Sequence, residues 1–352
     1  MTDHNRNQSN SPATDSAAGS RWLRYIERGF LIAGLVLLAV LLHEIGPTVV
    51  FANVRAAGWG IGLVVAQEMV AYLCNTLGWW YAFPAPRPAL RFVHLVAVRM
   101  AGDAVNYVTP TAALGGEFVR VRLLREHVPA TSVVASVTIA KLSQTIGQVT
   151  FVVIGMLLLV VTTPLPRGVQ HGLVIAAAAM AGFAVLFLIG QRRGLFTPFL
   201  RGLQRLGVGQ SAGNLAARLR RLDEEIAAFH TSGHEFALSI SFFFAGWAWG
   251  LVEASLILVF LGVPVTFHLV LAIEVLSSAI DGILFFVPGK VGTQEGGKVL
   301  IFTLLGLDAA KGLSFGIMRR IRELTWSAIG LLIFSRLHGE ARTAVSPAPL
   351  PR

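Results

Sequence analysis

One arrangement of charges, prolines and glycines occurs twice in the chain. Asp103, Asn106, Pro110, Gly115, Gly116, Glu117 and Arg120 form the first copy, in which six residues separate Asp from Pro, six separate Pro from Glu, and two separate Glu from a base. Asp281, Pro288, Gly292, Glu295 and Lys298 repeat that spacing 178 residues later, and the same offset pairs Lys141 with Arg319. Only 19 of 352 residues are acidic, so coincidence is a poor account of the match. Repetition of this kind in a membrane protein points to a transporter built from two related halves.

The chemistry these residues suit is charge recognition. Gly115, Gly116 and Glu117, and likewise Gly292 to Glu295, follow a proline and open a second half-helix. Free amides and the positive dipole end at such a start suit a phosphate or carboxylate. If Lys141 and Arg319 face one central cavity, they and Arg322 can grip an anionic headgroup, and Arg favours phosphate through its planar fork. Arg319 and Glu323 are spaced as an i, i+4 pair, whereas Arg320 points to another face and reads as interfacial. A plainer reading stays open beside this one. Glu117 and Glu295 would then only stabilise their own helix starts, Asp103 and Asp281 would bond the turns, and the bases would form structural ion pairs. The histidines lack metal-ligand spacing, and no phosphate-binding Gly-Lys loop, nucleophile elbow or His-Glu-x-x-His motif occurs. No cofactor, metal or catalytic residue is therefore expected.

Composition defines what must hold these residues. Mean hydropathy is +0.66, 54% of residues are hydrophobic and 14% are charged, against roughly a quarter charged in soluble domains. The fold class expected is an all-α polytopic membrane protein. The single cysteine, Cys74, excludes an intramolecular disulfide. The net charge of +10 reflects bases between apolar runs, which orient a membrane protein, and no nucleic-acid partner is expected.

Residues 1–20 are polar and expected to be a disordered tail, and 21–338 a single integral membrane domain. Full spans are expected at 30–42, 59–83, 128–163, 171–190, 234–262 and 312–334. Trp79, Trp80 and Tyr81 read as an interfacial aromatic belt. The run 128–163 exceeds the roughly 20 residues of an upright span, so it tilts, starts along the interface, or breaks near Lys141 to Gly147. Residues 191–233 read as a basic amphipathic linker and 339–352 as a tail.

The two motif regions, 89–127 and 267–307, are expected to be re-entrant helical hairpins, because Phe118 to His127 is too basic to cross lipid. That topology leaves 19 bases inside and 3 outside, with both termini cytoplasmic. Repeat one (about 59–163) and repeat two (about 234–335) then have opposite orientations. Fifteen ionisable residues fall within membrane segments, among them Glu68, Arg99, Glu253, Glu274, Lys290, Arg320 and Glu323 as well as the motif charges. At roughly 2.5–3.5 kcal/mol each in lipid, they imply a polar cavity.

At these residues the chain resembles the flippase-like membrane family that includes the transmembrane domain of lysylphosphatidylglycerol synthases. The shared marks are Asn106, Pro110 and Gly115 to Glu117, the pattern from Pro288 to Glu295, and the arginine-bearing helix that follows. The match covers about 25–338. The stretches 285–297 and 319–326 look closest to the branch found with hopanoid-lipid biosynthesis, and Lys290 departs from the small or apolar residue expected there. The resemblance implies translocation of an anionic, aminoacylated or hopanoid-related lipid across the bacterial inner membrane. Because the chain ends soon after its last span, the soluble aminoacyl-transferase domain, and with it aminoacylation, is expected to be absent. Two other readings are an embedded lipid-modifying transferase and a scaffold for lipid-biosynthesis enzymes. The oligomeric state is not legible.

Overall fold

The computed structural model describes residues 36, 39–109, 115–163, 166–192, 233–283 and 292–344. The tails, the segments holding Pro110, Pro288 and Lys290, where turns are expected, and nearly all of the 191–233 linker lie outside the described residues, as does most of the first expected span.

Among the described residues every regular element is helical. After a helical stretch at 39–45 come α1 (Pro47–Ala57), α2 (Gly60–Tyr81), α3 (Phe92–Val108), α4 (Gly115–Leu124) and α5 (Ala130–Thr162). They are followed by α6 (Arg167–Arg192), α7 (Gly233–Phe260), α8 (Phe267–Ile283), α9 (Thr293–Leu304) and α10 (Ala309–Ala344). Helices satisfy their own backbone hydrogen bonds, which lipid cannot do. Four of them, α2, α5, α6 and α7, are long and apolar enough to cross a bilayer, and the chain is a multi-pass membrane protein. The 36-residue α10 is long enough, but Arg319, Arg320, Arg322 and Glu323 interrupt its apolar character.

Of the three options for 128–163, the break near Lys141 to Gly147 is excluded. α5 runs 33 residues without a break, about 50 Å against a hydrocarbon core of about 30 Å, so it tilts or projects. Each motif region has a helix on either side of its residues outside the described set. α3 stops at Thr109, which is extended (φ −101°, ψ 131°) as a residue before proline should be. The first arms, α3 and α8, have 17 residues each, about 25 Å, and are short for a complete crossing.

α2 packs along α7, and the two run antiparallel. The Ser239 hydroxyl donates to the Gly78 carbonyl at 2.8 Å, the Trp249 indole to the Gln67 carbonyl at 3.1 Å, and Trp59 meets Phe260 at the other end. The hairpins then exchange partners. α3 of the first lies on α10, while α8 of the second lies on α5. In the latter contact the Gln148 amide donates to the Ser278 carbonyl at 3.2 Å.

Two apolar clusters sit at opposite ends of the α2–α7 pair. One contains Trp79, Phe83, Leu95, Leu123, Leu124, Val137 and Ala140. The other contains Ile257, Leu261, Ile273, Ile301, Phe302, Phe315 and Met318. Each member of the second list is 178 residues beyond its counterpart in the first. The offset read from the charges therefore also maps one core onto the other. Trp79 itself is fully buried and donates to the Ser136 hydroxyl at 3.2 Å, so it is a core residue and not part of an interfacial belt.

Candidate functional site

The buried charges form two groups. In the first, α3 contributes Arg99 and Asp103, α4 contributes Glu117 and Arg120, and α5 contributes Lys141. Arg120 is the hub: it reaches Asp103 at 2.5 Å and Glu117 at 2.7 Å, beneath the Trp79 ring. Lys141 also forms an ion pair with Glu117 at 3.1 Å, and Arg99 lies 3.5 Å from Asp103. These pairs tie the arms of the first hairpin to each other and to α5.

The second group gathers on one turn of α10. Arg319 pairs with Glu274 of α8 and lies 3.3 Å from Glu253 of α7. Arg322 reaches Glu68 of α2 at 2.5 Å and Glu253 at 3.0 Å. Arg320 faces α9, donating to Glu295 at 2.8 Å and to the Tyr107 hydroxyl of α3 at 2.7 Å. Gln294 of α9 donates to Glu323 at 2.9 Å. Five helices are thus held to α10 through side chains that would be expensive to leave unpaired.

Beside this group lies a cavity of about 240 Å³, midway along α2 and α7. Glu68, Glu253, Glu274, Asp281, Gln294, Arg319, Arg322 and Glu323 line it, with Gln67, Asn75, Gln144, Ser278, Trp247 and Trp249. Five carboxylates against two guanidiniums make its wall net acidic. Glu253 is 3% exposed and Gln294 5%, and the Oε1 atom of each has no hydrogen-bond partner.

The residues singled out from the sequence divide between these regions. Asp281, Arg319 and Arg322 line the cavity, and Glu295 and Lys298 are buried next to its α10 side. Asp103, Glu117 and Lys141 belong to the other group, so Lys141 and Arg319 do not meet in one cavity. Two of the helix-start amides expected to be open have partners within the protein. Asn106 accepts from Gly116 N at 2.7 Å, and Glu295 accepts from Gly292 N at 2.8 Å. Gly115 opens α4 beside Gly116. Arg320 is not interfacial: its side chain is 14% exposed and sits inside the network. Glu68, Glu253, Glu274, Gln294 and Tyr107 were absent from the sequence-derived site. The one signal the sequence offers for the three glutamates is that each is an acid inside an apolar helix.

The Arg320 link joins the end of the first arm of the first hairpin, α3, to the start of the second arm of the second, α9. Tyr107→Phe removes the acceptor and is expected to cost about 1.5–3 kcal/mol, the usual range for a hydrogen bond to a charged group. Thermal unfolding in detergent checks this, and an unchanged midpoint would mean that the link contributes nothing.

No group of three or more potential metal ligands occurs among the described residues. No solved structure matches the chain. It is 21% identical over 305 residues to a protein from Methanothermobacter thermautotrophicus described as a UPF0104 membrane protein, covering 83% of this chain and 89% of the relative. The family model described as the lysylphosphatidylglycerol synthase TM region matches residues 28–330, spanning both hairpins, the ion-paired turn of α10 and every residue that lines the cavity. The chain belongs to that family.

Proposed function

We propose that the protein moves a lipid between the leaflets of a bacterial inner membrane, with the headgroup passing through the acidic cavity and the acyl chains remaining in lipid. The observation that carries this reading is a charged cavity at mid-helix depth walled by helices of both halves. At about 240 Å³ it falls below the roughly 300–1,000 Å³ of pockets that enclose drug-sized ligands. It therefore suits a headgroup and not a whole lipid. Of anionic, aminoacylated and hopanoid-related cargoes, the excess of carboxylates favours one that bears an amine.

The two halves are read as inverted repeats with re-entrant hairpins. Support comes from the antiparallel run of α2 and α7, which the 178-residue offset makes equivalents, and from matching apolar clusters at opposite ends. Cytoplasmic termini follow from the asymmetry of bases. Translocation without bond-making needs only that headgroup charges be met inside the membrane and released again.

The test is movement of a fluorescent amine-bearing lipid in proteoliposomes. Glu295→Gln weakens the Arg320 pair and the bond from Gly292 N, so movement is expected to fall at least about tenfold, equivalent to 1.4 kcal/mol. Unchanged movement in both Glu295→Gln and Arg319→Ala would remove the assignment of the site.

A further inference from the structure

We propose that a pocket at the base of the first hairpin holds an anionic phospholipid by its phosphate, apart from the central cavity and independently of what passes through it. The pocket measures about 540 Å³, within the roughly 300–1,000 Å³ of sites that enclose small ligands. It is formed by the segment that enters α3, the first two turns of that helix and the loop that leaves α4. Leu90, Val93 and Ala97 make its apolar side, and Arg91, His94 and His127 its polar side.

Its place relative to the bilayer follows from its neighbours. α2 and α7 are each long and apolar enough to cross, and α2 ends at Tyr81 where α7 begins at Gly233. Arg87 lies over the Tyr81 ring at 4.6 Å and pairs with Glu235, so the segment between α2 and α3 is fastened where both spans reach the membrane surface. The pocket starts just beyond Arg87, and Val93 on its rim is 75% exposed on the outer face of α3. Polar groups at the surface beside an apolar helix face suit an amphipathic occupant.

The charge of the polar side selects which one. Arg91 and His127 are exposed, and the His94 and His127 rings meet with centroids 5.3 Å apart. No carboxylate is among the described residues of the lining; Glu126, beside His127 in the chain, is exposed and outside it. Arg91 is always charged, and an anion held at the two imidazoles favours their protonated forms, in which both ring nitrogens donate. Basic pockets between membrane helices at a bilayer surface recognise anionic headgroups in this way. The central cavity, with its excess of carboxylates, selects the opposite charge. A phosphate at the basic side chains would also bridge the two arms of the hairpin, since Arg91 and His94 stand at the start of α3 and His127 follows α4. Free phosphate would leave Leu90, Val93 and Ala97 facing water, which favours the lipid.

The experiment is isothermal titration of the purified full-length protein in detergent with dioctanoyl phosphatidic acid, whose phosphate has no compensating cation. Dioctanoyl phosphatidylcholine and inorganic phosphate are the comparison ligands. Phosphatidic acid is expected to bind at least about tenfold more tightly than either, the worth of one hydrogen bond between charged groups. Arg91→Gln and His127→Gln are each expected to weaken it about tenfold, and both positions are exposed, so the core is left intact. Ala97→Phe fills the pocket without changing its charge and is expected to abolish binding. Arg125→Gln removes an exposed base outside the lining and is expected to leave binding within about twofold. Equal affinity for phosphatidylcholine or for inorganic phosphate overturns the proposal, as does a loss in Arg125→Gln as large as that in Arg91→Gln, which would reduce the site to a basic surface. None of these outcomes bears on lipid movement through the central cavity.

Discussion

Replacing Arg319 by alanine is expected to abolish lipid movement and to destabilise the fold by about 3–5 kcal/mol, the cost of removing one partner from a buried ion pair. Arg319 is 5% exposed and stands between Glu274 and Glu253, which are 4% and 3% exposed. Without it two carboxylates of α8 and α7 face each other and the cavity, with Arg322 left to serve Glu253 alone. Arg319→Lys separates charge from geometry. A lysine restores one cation on a shorter, unbranched head, but not the guanidinium whose Nη2 lies between two carboxylates on different helices. Partial recovery of stability with little recovery of movement is therefore expected. Thermal unfolding and lipid movement, measured on the same preparations, check both parts. Full movement in Arg319→Ala would show that the pairs are dispensable.

Gly116→Ala is the second large effect expected. A methyl group there would collide with the Gly102 carbonyl and lie 2.7 Å from the Asn106 side chain. The first obstacle is backbone, so no rotamer change relieves it. The arms of the hairpin, α3 and α4, must move apart. That loosens the Arg120 pairs to Asp103 and Glu117 and breaks the bond from Gly116 N to Asn106. Overpacking of a close helix contact costs typically 1–3 kcal/mol, and the lost bonds bring the expected total to about 4 kcal/mol or more. A detergent-unfolding midpoint within a degree of wild type would contradict the close approach. Gly62→Ala, where nothing lies within 4 Å, is the matched control.

Much of the fold was legible because membrane insertion makes simple demands. Apolar runs of the required length became α2, α5, α6 and α7, and the basic stretch after Gly116 became the short arm α4. The 178-residue offset was legible because it appears in residues of rare type, and the same offset relates the two apolar clusters. Trp79 was misread as an interfacial residue because a tryptophan near a span end suits either a belt or a core. Its hydrogen bond to Ser136 and the packing of Arg120 against its ring decide for the core.

The sequence by itself determined which charged residues cannot rest in lipid, and hence that a polar interior exists and roughly which turns supply it. Only the tertiary structure decided which partner each charge takes and that the cavity wall is acidic and not basic. The physical reason is that an ion pair is a contact between helices. Arg322 lies 254 residues from Glu68 and 69 from Glu253, and Arg319 lies 45 from Glu274, so no local spacing encodes these choices. Lys141 and Arg319 occupy equivalent positions in the chain, yet the exchanged packing of the hairpins places one against Glu117 and the other against the cavity.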